Sequence, residues 1–256
     1  VSFLGDTLAK IATEKAGIIK PSVPCVVGPQ PDEALEVIEA VAQRLQAPTF
    51  IYGQHWHVYE ERNRLVYQDE RGLLDLPLPV LPGAHQIYNA GAALAALRHL
   101  DLPETRFEAA VTRAQWPARL QRLKTGPLKD MAPDADLWLD GGHNAAAGQA
   151  LASHLAQQSL RPTYLICGML NTKDVAGYLA PMAPYVAELF AVSIPGEANT
   201  LPAETTATAA KSVGMAATAA DTVNAAVAKI LKSDPASRIL ICGSLYLAGQ
   251  ILRENA

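Results

Sequence analysis

LWLDGGHNAAAG, Leu137 to Gly148, reads as an apolar strand that ends in Asp140, turns on two glycines, and opens a helix at His143 and Asn144. Paired glycines let the backbone turn closely, and the free N–H groups of a helix start favour negative charge. In that position Asp140 can accept hydrogen bonds from ribose hydroxyls, and His143 can contact a polar substrate group. The plainer reading is that Asp140 and Asn144 only cap the helix.

Working outward, the stretch sits in an alternation of strands and helices. Strands are predicted at Leu120–Leu123, Leu137–Asp140, Thr163–Cys167, Val186–Val192, Met215–Ala219 and Arg238–Cys242. Helices are predicted at Ala146–Gln158, Val175–Met182, Pro202–Val213, Val223–Lys232 and Leu245–Asn255. This order implies an α/β fold with a mostly parallel sheet and right-handed crossovers, whose ligands sit beyond the carboxyl ends of the strands. Two further motifs fall at such ends. LICGMLNTKDVAG places Lys173 and Asp174 between a strand and a helix, where a lysine can meet phosphate and an aspartate can cap. ILICGSLYLAG places Ser244 similarly, as a helix cap or a substrate contact.

Before Trp116 the pattern differs. Asp6 to Lys15 predicts a helix in which Leu8, Ile11, Ala12 and Lys15 recur at i, i+3, i+4 and i+7, with Gly17 as the stop, so Lys15 is expected on the apolar stripe. PCVVG predicts a buried strand and Pro31–Gln46 an amphipathic helix. Thr49 to Leu76 reads as four short β runs in an antiparallel hairpin appendage, followed by helices at Ile87–Leu100 and Glu104–Ala114. Trp116 and Pro117 break the helical pattern, which places a boundary between domains 1–116 and 117–256. Arg119, beside that break, is a hinge cation suited to meeting phosphate.

Composition limits the partners. Of 256 residues, 50% are hydrophobic and 18% charged, and the formal net charge is −4. No apolar run approaches the ~20 residues of a spanning helix, and the scattered basic residues offer no footprint for nucleic acid. Neither membrane nor nucleic acid is expected as a partner. Cys25, Cys167 and Cys242 lie in strand-like runs without metal or disulfide spacing, as buried thiols in a reducing cytoplasm would. Neither GxxxxGK[ST] nor GxGxxG occurs, so the residues that cradle nucleotide phosphates are missing from this chain.

Taken in order, LGDTLAKIATEKAGIIK, LPGAHQIYNA, WPARLQ, LDGGHN, CGMLNTKDV and GSLYLAG resemble the folylpolyglutamate synthase/dihydrofolate synthase family of the Mur ligase superfamily. The resemblance spans nearly the whole chain but only the later part of the family's length. It implies a carboxyl-terminal fragment: the remainder of a P-loop-type ATPase domain of the Mur central type, then a Rossmann-like, mostly parallel α/β domain. The implied reaction is ATP-dependent amide formation. ATP phosphorylates the carboxylate of a folate or dihydropteroate, the amine of L-glutamate attacks the acyl phosphate, and phosphate leaves. A fragment without the phosphate loop is expected to be inactive alone.

By the same resemblance, Lys15 matches a lysine that is carbamylated and helps to hold Mg²⁺. His85 and Asn89 match a nucleotide-contacting element, and Arg119 the hinge arginine on ATP phosphates. Asp140 matches the ribose or adenosine contact, His143 and Ser244 the residues near incoming glutamate, and Lys173 with Asp174 a Lys-Asp pair. A partly desolvated lysine holds more neutral amine to react with CO₂, and an oxygen ligand suits magnesium. A cytoplasmic monomer is expected. The family's usual DGAHNP reads DGGHNA here and WPGRLQ reads WPARLQ. The tyrosine of the YAHNP motif in peptidoglycan Mur ligases is absent, which favours the folate branch. A peptidoglycan Mur-type ligase and a non-catalytic nucleotide-binding module are the alternatives.

Overall fold

The computed structural model describes residues 7–159 and 161–255. Asp6, where the opening helix was predicted to begin, lies outside them. The chain divides into two compact units, Val1–Gln115 and Trp116–Ala256.

The first unit opens with α1 (Leu8–Ala16), whose Thr7 hydroxyl accepts from the Lys10 N–H at 3.3 Å. Only Ala12 and Ala16 are buried on it; Leu8 and Lys15 are exposed, so Lys15 does not share the buried stripe. α1 lies against α2 (Asp32–Arg44), and the residues buried on the two helices are alanines, Ala12 and Ala16 on α1 and Ala34 and Ala42 on α2. β1 (Cys25–Val27) pairs in parallel with β2 (Thr49–Ile51), Cys25 opposite Thr49. TFIYG is therefore not the first strand of the hairpin appendage, as its neighbours had suggested.

The antiparallel sheet consists of β3 (Trp56–Glu61), β4 (Arg64–Asp69) and β5 (Gly72–Pro77). β3 and β4 turn on Arg62 and Asn63, with φ of 51° and 60°, the left-handed pair that matches strand twist in a two-residue hairpin. α3 (His85–His99) covers this sheet, and α4 (Phe107–Thr112), entered by a 3₁₀ turn at Glu104–Arg106, closes the end. Trp56, Val58, Leu65, Tyr67, Leu94 and Phe107 form the core between them. Burial of such side chains contributes about 1.5–3 kcal/mol each.

The second unit is the α/β layer expected from the alternation. Its strands are β6 (Gln121–Arg122), β7 (Asp136–Leu139), β8 (Thr163–Cys167), β9 (Glu188–Ala191), β10 (Ala217–Ala219) and β11 (Arg238–Cys242), in sheet order β10-β9-β8-β11-β7-β6. All neighbours are parallel except β6 with β7. The short helix α5 (Pro127–Met131) between β6 and β7 had no periodic signal in five residues.

Side chains alternate across the strands, and the two faces bury different helices. Leu137, Leu139, Ile239 and Ile241 join α5, α9 (Val223–Ser233) and α10 (Leu245–Glu254). Leu165, Leu189, Leu240 and Cys242 join α6 (Ala145–Ala156), α7 (Val175–Leu179) and α8 (Ala203–Ser212). β11 thus feeds a helix on one face, while β8 and β7 on either side of it feed helices on the other. In doubly wound sheets such a reversal marks where ligands bind, at the strand carboxyl ends.

The opposite end of the sheet holds charge. Arg238, 5% exposed, donates to the Thr163 hydroxyl at 3.3 Å and lies 3.7 Å from Asp136, which Arg122 also contacts at 2.5 Å. Burial alone would raise the Asp136 carboxyl, but Trp138, Arg122 and Arg238 outweigh it and hold it below the usual carboxylate range. His154, edge-on to Trp138, is pushed down by burial and by Arg238.

Both shifts remove stability in acid. The unfolded chain binds a proton at His154 near pH ~6.5 while the folded chain resists it, so stability falls as pH drops below that value. The Asp136 contribution is held above about pH 3.9 and lost as pH falls through its lowered folded value. Melting temperature should therefore decline between pH 7 and pH 5, and His154→Phe should flatten that decline.

Candidate active site

The residues singled out in the second unit gather at the carboxyl ends of β7, β8 and β11. Register puts Leu139 beside Ile241 and Ile241 beside Ile166, so the three loops that follow emerge side by side. The loop after β7 meets α10 directly: a Cβ on Gly141 would fall 2.3 Å from Leu245 Cδ2.

Asp140 is the centre of this arrangement. Its side chain is 6% exposed, Oδ2 accepts from the Leu120 N–H at 2.9 Å, and Oδ1 accepts from the Gly142 N–H at 2.7 Å. The first bond reaches the turn in WPARLQ, where Ala118 and Leu120 both hold positive φ, 57° and 43°. The Gly141 N–H donates to Ala118 O at 2.9 Å, and the Gln121 side chain accepts from the Ala118 N–H at 2.9 Å. Non-glycine residues pay roughly 1–2 kcal/mol for the left-handed conformation, so these bonds hold a turn the chain would not adopt alone. Arg119, half-buried, is the residue carried on it.

His143 is partly buried and its Nδ1–H donates to Gly141 O at 3.0 Å, a bond that fixes Nε2 as the acceptor in the neutral ring. Asn144 caps α6 by accepting from the Ala147 N–H at 2.9 Å. Capping thus falls to Asn144, while Asp140 ties two loops together. The DGGHNA departure fits the crowding here, because a Cβ on Gly142 would lie 2.8 Å from Asp140 Oδ1.

Ser244 is 2% exposed and caps α10, accepting from the Tyr246 N–H at 3.0 Å. Asp174 caps α7, accepting from the Gly177 N–H at 2.9 Å, and the neighbouring Lys173 is half-buried. One surface the motifs had not indicated lies next to Ser244: a cleft of about 420 Å³ between the Ile194–Glu197 loop and Leu245, Tyr246, Gln250 and Arg253. Pro195 and Gly196 in IPGEANT were the available signal for a loop at this strand end.

Lys15, His85 and Asn89 belong to the first unit. Lys15 is exposed near the end of α1. His85 and Asn89 are exposed one turn apart on α3, and buried Gln86 hydrogen-bonds both. No cluster of three or more His, Cys, Asp or Glu side chains among the described residues could hold a metal ion. No helix among them is long and apolar enough to cross a membrane.

The family model described as dihydrofolate synthetase, C-terminal domain, matches residues 122–254, from β6 to the end of α10. The chain belongs to the folylpolyglutamate synthase/dihydrofolate synthase family. Its folylpolyglutamate synthase relative from Lacticaseibacillus casei is 27% identical over 97% of this chain and 58% of that protein. The solved structure of E. coli FolC in complex with DHPP and ADP superposes with a TM-score of 0.84 at 27% identity, covering 98% of this chain and 57% of that one. A bifunctional folylpolyglutamate synthase/dihydrofolate synthase with Mn, AMPPNP and L-glutamate bound superposes with a TM-score of 0.81 at 27% identity, covering 98% and 58%. The chain thus spans less than two thirds of the length of these family members.

Proposed function

We propose that the protein containing this chain is an ATP-dependent ligase that joins L-glutamate to the carboxylate of a folate or dihydropteroate through an acyl phosphate. The observation that carries this reading is the family match together with the similarity, over 98% of the chain, to a synthase with AMPPNP, Mn and L-glutamate bound. The first unit is read as the later part of the ATPase domain and the second as the carboxyl-terminal Rossmann-like domain. The protein is further read as a cytoplasmic monomer.

In this reading the chain supplies positioning and charge rather than a phosphate cradle. Arg119, on the turn held by Asp140, meets the transferring phosphoryl group. A contact of that kind strengthens as charge moves, so Arg119→Ala lowers turnover itself. Asp140 acts first by holding that turn. His143 presents a fixed acceptor to incoming glutamate, with Ser244 at the start of α10, after the neighbouring strand β11. His85 and Asn89 contact the nucleotide, and Lys173 with Asp174 borders the phosphate side. Magnesium would supply charge neutralisation; the described residues assemble no site for it, and Lys15 becomes an oxygen ligand only if it is carbamylated.

The test is kinetic, in the intact protein. His143→Ala and Ser244→Ala are expected to raise the apparent glutamate requirement roughly ten- to a hundredfold, with ATP little affected, since a hydrogen bond to a charged group is worth about 1.5–3 kcal/mol. A lower melting temperature with unchanged glutamate dependence would reduce Ser244 to the helix cap it forms here. The same outcome for His143 would remove it from the site.

A further inference from the structure

α3 begins with an unusual division of labour. Its cap position, Ala84, offers no side chain to the free N–H groups, and the first buried polar residue of the helix, Gln86, is 7% exposed. A buried carboxamide is costly unless its donor and acceptor are both satisfied. Gln86 Nε2 donates to His85 Nε2 at 3.1 Å, and Gln86 Oε1 accepts from Asn89 Nδ2 at 3.0 Å. His85 and Asn89 are four residues apart and therefore share a helix face; both are exposed. Gly83, at φ 114°, clears room for the imidazole, because a Cβ there would fall 2.7 Å from His85 Cε1.

We propose that Gln86 is a positioning residue that locks His85 and Asn89 into one oriented pair and thereby sets nucleotide selectivity. The inference rests on the reading that these two side chains contact the nucleotide. The chemistry follows from the two bonds. Because Gln86 donates to Nε2, His85 is held as the Nδ1–H tautomer. One Asn89 amide N–H is given to Gln86 and fixes that carboxamide, whose oxygen then serves as the acceptor for a ligand. Such an oxygen accepts from a ring that carries an amino group and opposes one that carries an oxo group at the same place, so the pair selects amino-purine over oxo-purine nucleotides.

Two substitutions separate the bonds. Gln86→Leu fills the buried volume and removes both. Gln86→Glu, with an acceptor on each side, keeps the bond from Asn89 and reverses the one to His85. In the intact protein with ¹⁵N-labelled histidine, and His85→Gln to assign the ring, the wild type should show the Nδ1–H tautomer. Gln86→Glu should show the Nε2–H form, and Gln86→Leu a mixture.

In steady-state ligation, Gln86→Leu should raise the KM for ATP about tenfold, the equivalent of ~1.4 kcal/mol. It should also narrow the ATP-over-GTP preference and leave the KM for glutamate unchanged. Gln86→Glu should keep that preference. An unchanged tautomer in Gln86→Glu would overturn the lock, and a shifted tautomer with unchanged nucleotide kinetics would overturn its role in selectivity. If the wild type performs no ATP-dependent ligation, the reading of the function fails instead, while the tautomer spectra still decide whether Gln86 orients the pair.

Discussion

Replacing Asp140 by alanine is expected to cost the second unit about 3–5 kcal/mol and to uncouple Arg119 from the β7 loop. The carboxylate accepts two backbone N–H groups, from Leu120 and Gly142, at 2.9 and 2.7 Å, and is 6% exposed. Hydrogen bonds to a charged group contribute about 1.5–3 kcal/mol each, and removing the acceptor leaves buried donors unpaired. The Leu120 bond matters most, because Ala118 and Leu120 both occupy left-handed backbone and nothing in their side chains favours it. Asp140→Asn keeps one acceptor and turns an amide donor toward the other N–H, so it should fall between alanine and the wild type. Urea unfolding reads the stability, and turnover of the intact protein should fall further than stability explains. Equal melting of all three proteins would mean the turn is held by something else.

Arg98→Met in the first unit should cost a comparable amount, about 3–5 kcal/mol, the usual penalty for breaking a buried ion pair from one side. Arg98 is 3% exposed and pairs with Asp69, itself 12% exposed at the side chain, and with Glu104 at 2.8 Å. Asp69 also accepts from the Tyr67 hydroxyl at 2.9 Å, and burial together with that bond raises the Tyr67 phenol well above its ordinary value. Methionine preserves much of the packing over the Tyr67 ring, which the guanidinium approaches at 5.4 Å, so the loss isolates the charge left on Asp69. The double variant Arg98→Met/Asp69→Asn should recover part of the loss, and a mutant cycle measures how much. If the single and double variants are equally unstable, packing rather than the ion pair holds β4 against α3.

These two residues mark where the sequence stops being legible. The β7 strand, the double-glycine turn and α6 were readable because hydrophobic alternation, turn chemistry and the capping Asn144 all act within a few residues. The positions of Lys173 and Ser244 at strand ends followed from the same local signals. What Asp140 and Gln86 bond to was not readable, because the partner of a buried polar atom is set by tertiary approach: Asp140 reaches Leu120, twenty residues upstream. Pairing of three-residue strands is equally non-local, which is why Thr49–Ile51 was assigned to the hairpin next to it rather than to Cys25–Val27. Lys15 had the right spacing for a buried stripe, but only Ala12 and Ala16 of α1 are buried and the lysine is exposed.

Glutamate ligation by the intact protein is tested most directly by one assay. Purified intact protein, ATP, magnesium and L-glutamate should convert dihydropteroate or a reduced folate into a product one glutamyl residue heavier, with one ADP released per bond formed. Arg119→Ala should lower that rate at saturating substrates. Mass spectrometry of the pterin fraction alongside ADP release supplies both numbers. ADP release that depends on a UDP-linked sugar acceptor, or no glutamylated pterin with either folate substrate, would contradict the account.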